Sequence, residues 1–119
     1  PSTDPTKPSP HNTGGAIDLS IVDDRGLLLN MGSPFDDIMP TSKTTYYEDH
    51  PDLPQARQIQ QNRRLLYHTL TSVGFTNYPE EWWHFDFGNQ NWAWSTEKEQ
   101  AQFGQTAPTF PWILPTNFK

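Results

Sequence analysis

Four side chains in this 119-residue sequence have the types and spacing to do chemistry together: His11, Asp18, Glu81 and His84. Glu81 and His84 lie in the stretch "PEEWWHFDFG", Pro79 to Gly88. Strand alternation sends Trp83, Phe85 and Phe87 to one face and His84 and Asp86 to the other. Asp18 lies in "GAIDLSIV" (15–22), where Ile17, Leu19 and Ile21 share one face and Ala16, Asp18 and Ser20 the other. If both apolar faces meet one core, Asp18 and His84 share the opposite face, within about 5 Å across a strand pair. His11 precedes Asp18 in a loop, and Gly14 and Gly15 let that loop fold back.

Two imidazoles and one carboxylate suit a catalytic zinc ion, one per chain, with a fourth position open to water. Glu81, three residues before His84, would face away from it in an unbroken strand. Pro79 puts Glu81 at the strand's entrance, where a bulge can re-aim a side chain. There it could take a proton from the attacking water and hand it to a leaving amine. Each residue also has a plainer reading. A strand histidine can be a satisfied, half-buried residue, and Asp18 an ordinary solvent-facing one. Glu80 reads as a bystander, His50 as a loop residue and His68 as part of a solvated helix face. Asp86 shares the face of His84 and is either a support for it or simply solvated.

The elements that must position these residues are few. The apolar fraction is 33%, with 12 prolines, which favours long loops around a modest core over a helical bundle. Five Trp, seven Phe and four Tyr compensate with large buried areas per residue. After the strand at 15–22, "DDRG" signals a turn, and "LLLNMG" (27–32) reads as a second strand closing a hairpin. Residues 33–52 read as a long polar loop. A helix follows, with Asp52 as cap, Pro54 in its first turn and Gly74 at its stop. Ala56, Ile59, Leu66, Leu70 and Val73 form its apolar face; Gln58, Gln61, Arg64 and His68 face solvent. The next strand runs around Trp82–Phe87, and a short helix is expected at 96–103. The sum is one α+β domain over residues 1–119 with a central antiparallel sheet and flanking helices.

A formal charge of −6 excludes a nucleic-acid surface, and no apolar run approaches the roughly 18 residues a membrane span requires. With no cysteine there is neither a disulfide framework nor a thiolate metal site. That fits a cytoplasmic protein, and also many periplasmic ones.

Two motifs now carry a resemblance. "SPHNTGGAID" (Ser9–Asp18) fits Ser-x-His-x-x-Gly-x-Ala-x-Asp, and "EWWH" (Glu81–His84) fits Glu-x-Trp-His. In this order they resemble the signatures of the zinc D-alanyl-D-alanine dipeptidases, the family that includes the vancomycin-resistance dipeptidase. "MGSPFD" (Met31–Asp36), "QNRRLL" (Gln61–Leu66) and "GFTNYPEEWWH" are also similar to this family, so the likeness covers roughly residues 9–88. It implies that His11, Asp18 and His84 ligate zinc and that Glu81 is the catalytic base and then acid. It implies that Ser9 and Asp36 line the substrate pocket, Asp36 pairing with the dipeptide's ammonium. It also implies the hedgehog-type D,D-peptidase fold, of which this chain looks like the C-terminal part.

Members of the family carry an arginine upstream of the first zinc ligand, in a Tyr-Arg-Pro-like context, that stabilises the transition state. None of Arg25, Arg57, Arg63 or Arg64 has such a context. Losing one oxyanion partner typically costs about 10²–10³ in rate. The expectation is therefore a piece of a longer protein, with its N-terminal part as another chain. Two alternatives stay open. One is a D,D- or L,D-carboxypeptidase acting on peptidoglycan stem peptides. The other is a non-catalytic cell-wall-binding module built on Trp92, Trp94, Trp112, Tyr46 and Tyr47.

Overall fold

The computed structural model describes residues 6–107. Three short strands form its sheet: β1 (Ala16–Asp18), β2 (Thr76–Asn77) and β3 (His84–Asp86). Their order is β1-β3-β2, and both pairings are antiparallel. Ile17 stands opposite Phe85 and Asp18 opposite His84. Backbone bonds from Leu19 to the Trp83 carbonyl and from Phe87 to the Gly15 carbonyl extend the β1–β3 contact at both ends.

The central strand is buried on both faces. Phe85 and, just before the strand, Trp83 pack with Met31, Leu66 and Trp82, and Leu19, Ile21, Leu29, Leu70 and Phe75 close around them. His84 and Asp86 lie buried on the other face. Leu19 and Ile21 join the core as alternation predicts, but Ile17 is 39% exposed. Ile17 is exposed although it is paired with Phe85, and Ala16 beside it is buried, so the expected apolar face meets the core only from Leu19 onward.

The main helix, α2, spans Ala56–Thr71 and buries Ala56, Ile59, Asn62, Arg63 and Leu66. It starts later than the Asp52 and Pro54 signals suggest. Gln55 is the residue that precedes it, at φ 61°, and its amide oxygen accepts from Asn30 Nδ2 at 2.6 Å. A left-handed residue interrupts helical geometry, so the helix cannot begin before it. At the other end Gly74 takes φ 96°, and the Phe75 N–H returns to the Leu70 carbonyl. Val73 is exposed, outside the apolar face assigned to it.

Three further expectations change. The hairpin strand at 27–32 reduces to one bridge, Val22 with Leu28, closed by a turn in which Asp23 accepts from the Arg25 and Leu27 amides. The loop at 33–52 contains a 3-10 turn (Pro40–Ser42) and a short helix, α1 (Tyr46–Asp49). Tyr47 on α1 packs with Ala56 and Ile59 in a second apolar cluster, which orders the segment. The last helix, α3, is Gln90–Ser95 and not 96–103. Asn89 fixes its start by accepting the Trp92 amide proton at 3.0 Å. Among the described residues no helix is long and apolar enough to cross a membrane.

Candidate metal-binding site

His11 comes from a 3-10 turn, Pro10–Thr13. The Thr13 hydroxyl donates to the Pro10 carbonyl at 2.6 Å and accepts the Gly15 amide at 3.0 Å, which closes the turn. Gly15 then runs hard against β3: a Cβ there would lie 2.6 Å from the Phe87 carbonyl oxygen. This close approach lays His11 over the β1–β3 pair. Its Nε2 is 3.4 Å from Asp18 Oδ2, and its ring meets that of His84 edge to face at 4.9 Å.

Asp18 reaches His84 directly across the sheet, with Oδ1 to Nδ1 at 3.0 Å. His11, Asp18 and His84 each offer one ligand atom, and these atoms lie within 4.8 Å of one another. The donor set, two imidazoles and one carboxylate, fits a divalent metal such as zinc. The other nitrogen of His84, Nε2, lies 3.0 Å from Asp86 Oδ1. Asn89 and Asn91 donate to the same carboxylate.

Glu81 stands beside this group, with Oε2 at 3.8 Å from His84 Nδ1. The expected bulge takes the form of a turn: the His84 N–H donates to the Glu81 carbonyl at 3.3 Å. Residues three apart in a turn can share a side, so strand parity no longer separates them. Burial pushes the Glu81 carboxyl above its ordinary pKa; His84 and His11 pull it down, while Asp18 and Asp36 add to the rise. Burial opposes charge on the His84 imidazole, but Asp86, Asp18 and Glu81 outweigh it and raise its pKa. Burial likewise works against charge on Asp86, yet its bonds from His84, Asn89 and Asn91 hold that carboxyl below its usual range.

One cavity of about 790 Å³ collects Ser9, His11, Asp18, Asp36, Glu81 and His84. Ser9 is buried in its wall, and Asp36 is exposed at its mouth with Ile38 and Tyr78. Other polar residues lie elsewhere. Glu80 points out to Lys43 at 3.3 Å, His50 stacks on Tyr46, and His68 is exposed on α2. None of Arg25, Arg57, Arg63 or Arg64 lines the cavity. Arg25 pairs with Asp23 and Arg64 with Glu48.

Arg63 is buried and donates to the carbonyl oxygens of Met31, Thr41 and Lys43. Its guanidinium sits 5.0 Å from the Tyr47 ring centre, and burial brings its pKa down to about 10. Helical spacing places Arg63 on the apolar face, four residues after Ile59 and three before Leu66; its charge is what concealed the burial. The aromatic-platform alternative fares differently by residue. Trp92 and Tyr47 are buried, the Trp92 indole donating to Gly74 and the Tyr47 hydroxyl to Gly32. Trp94 is 85% exposed, and Trp112 lies outside the described residues. These rings do not form one surface.

A family model for D-ala-D-ala dipeptidase matches residues 1–105. A D-alanyl-D-alanine dipeptidase of Synechocystis is 39% identical over 99 residues, covering 79% of this chain and 40% of the relative. One from Escherichia coli is 41% identical over 83 residues, covering 70% and 40%. One from Enterococcus faecalis is 37% identical over 78 residues, covering 65% and 36%. The chain thus spans about two fifths of the length of these curated relatives.

Proposed function

The chain belongs to the D-ala-D-ala dipeptidase family, and from that premise we propose that it carries the zinc site and catalytic carboxylate of an enzyme that hydrolyses D-alanyl-D-alanine. The observation that carries this reading is the convergence of His11, Asp18 and His84 ligand atoms within 4.8 Å, with Glu81 alongside. These three residues would hold the ion. Zinc bound there would polarise the scissile carbonyl and make water a nucleophile near neutral pH.

The chain's own residues supply the rest. Glu81 is half-buried, and its raised pKa suits a group that must first accept a proton and then release it. It takes the proton of the attacking water and delivers it to the amine of the departing D-alanine. Asp36 offers a carboxylate at the mouth of the cavity for the dipeptide's ammonium. Ser9 offers a hydroxyl in the wall for the other end of the substrate. The antiparallel sheet with flanking helices is compatible with the hedgehog-type D,D-peptidase fold.

Glu81→Gln tests the reading. It should retain zinc and lose hydrolysis of D-alanyl-D-alanine by about 10²–10⁴-fold, the usual worth of a positioned acid–base group. Undiminished hydrolysis would remove Glu81 from the chemistry. Assays on free dipeptide and on stem peptides separate the dipeptidase from a carboxypeptidase on the same scaffold.

A further inference from the structure

Asp86 has no part in the chemistry above, yet it is among the most deeply buried charged groups of the described residues, at 1% exposure. Its carboxylate accepts from three side chains. Oδ1 takes His84 Nε2 at 3.0 Å and Asn89 Nδ2 at 2.5 Å; Oδ2 takes Asn91 Nδ2 at 3.3 Å. Asn89 is fully buried, and its remaining capacity is also used. It donates to the Gly15 carbonyl at 3.1 Å and accepts the Trp92 amide proton at the start of α3.

A carboxylate offers no proton of its own, so the proton on the 3.0 Å bond to Asp86 belongs to His84 Nε2. Nδ1 likewise faces a carboxylate, Asp18 Oδ1 at 3.0 Å, but on the side where His11, Asp18 and His84 converge; an ion held there would take the place of the Nδ1 proton and receive its lone pair, while the Nε2 proton stays on Asp86. We propose that Asp86 is a positioning residue: it fixes the proton of His84 on Nε2 and the ring's rotation, so that Nδ1 meets the metal. Asn89 extends the device. One amide ties the carboxylate behind His84 to the Gly15 backbone, four residues beyond His11, and so sets the spacing between the two histidine ligands. The inference rests on the metal-site reading above. It assigns a role to residues that reading does not use.

Two arms test it. The first needs no variant: two-bond ¹H–¹⁵N spectra of the zinc-loaded chain report which His84 nitrogen holds the proton. A protonated Nε2 with zinc on Nδ1 supports the proposal; zinc on Nε2 overturns it. The second is zinc affinity measured by chelator competition. Asp86→Asn keeps the shape but weakens the acceptor, and should bind zinc about 10–100-fold more weakly. Asn91→Ala, which loses only the 3.3 Å contact, should fall less. A folded Asp86→Asn chain with wild-type affinity would overturn the positioning role and leave the metal site standing. A wild-type chain that takes up no zinc would overturn both. If Asp86→Asn does not fold, the spectra of the wild type still decide.

Discussion

The two histidines of the candidate site belong to different kinds of structure. The His84 side chain is 5% exposed, sits on the central strand, and has both ring nitrogens engaged. Trp83 and Phe85, its sequence neighbours, are fully buried. The His11 side chain is 43% exposed, rides on a four-residue 3-10 turn, and meets Asp18 at 3.4 Å. Half of the site is therefore made by the same burial that makes the core. The other half is delivered by a turn that the core only abuts. Folding should fix His84 with or without metal, whereas metal should matter most to how tightly His11 is held.

The contrast can be broken by substitution, and the largest effect should come from the buried side. His84→Ala leaves Asp86 buried without its imidazole, and removing one partner of a buried pair costs about 3–5 kcal/mol. Urea denaturation of the zinc-free chain measures this, and a loss under about 1 kcal/mol would show that β3 does not depend on the pair. Gly15→Ala strikes the junction between the halves. Its new Cβ would meet the Phe87 carbonyl oxygen at 2.6 Å and Asn89 Cβ at 3.1 Å. Overpacking of this kind costs about 1–3 kcal/mol, and zinc affinity should fall with it as His11 is pushed off the sheet.

A smaller effect is expected from pH. The zinc-free folded state holds the His84 proton more tightly than the unfolded chain, whose imidazole titrates near about 6.5. The resulting stability is fully present below that value and is lost as pH rises through the higher folded pKa. Denaturation midpoints across that window should decline in the wild type and flatten in His84→Ala. Smallest of all is the stability change for His11→Ala, within about 0.5 kcal/mol in the zinc-free chain. Its zinc content should nonetheless drop. An unchanged metal-to-protein ratio would take His11 out of the site and dissolve the contrast.

Much of this arrangement was legible in the residues. Parity along "EWWHFDF" put His84 and Asp86 on one face and Trp83 and Phe85 on the other, because a strand's period of two is rigid. The pairing of Asp18 with His84 followed from matching two apolar faces. The route by which Glu81 joins them did not, since parity opposes it and only the turn from Glu81 to His84 overrides parity. Asp86 could be placed but not interpreted, because its meaning depends on Asn89 and Asn91, the cap and the first turn of a helix expected elsewhere. The start of α2 failed for a similar reason. Gln55 is fixed by a contact with Asn30, and a local cap rule cannot anticipate a partner 25 residues away.

The buried guanidinium of Arg63 has one more implication. It reaches the 31–44 segment through the carbonyl oxygens of Met31, Thr41 and Lys43, not through any of their side chains. A backbone carbonyl is the same whatever residue carries it. The segment that presents Asp36 and Ile38 to the cavity is thus held by Arg63 through contacts that do not depend on the side chains at 31, 41 and 43. Lysine could not take the place of Arg63 here, since it lacks the planar fork that satisfies several oxygens at once. The cavity mouth and the main helix are thereby one mechanical unit, and a change at Arg63 would be felt at Asp36 and Ile38.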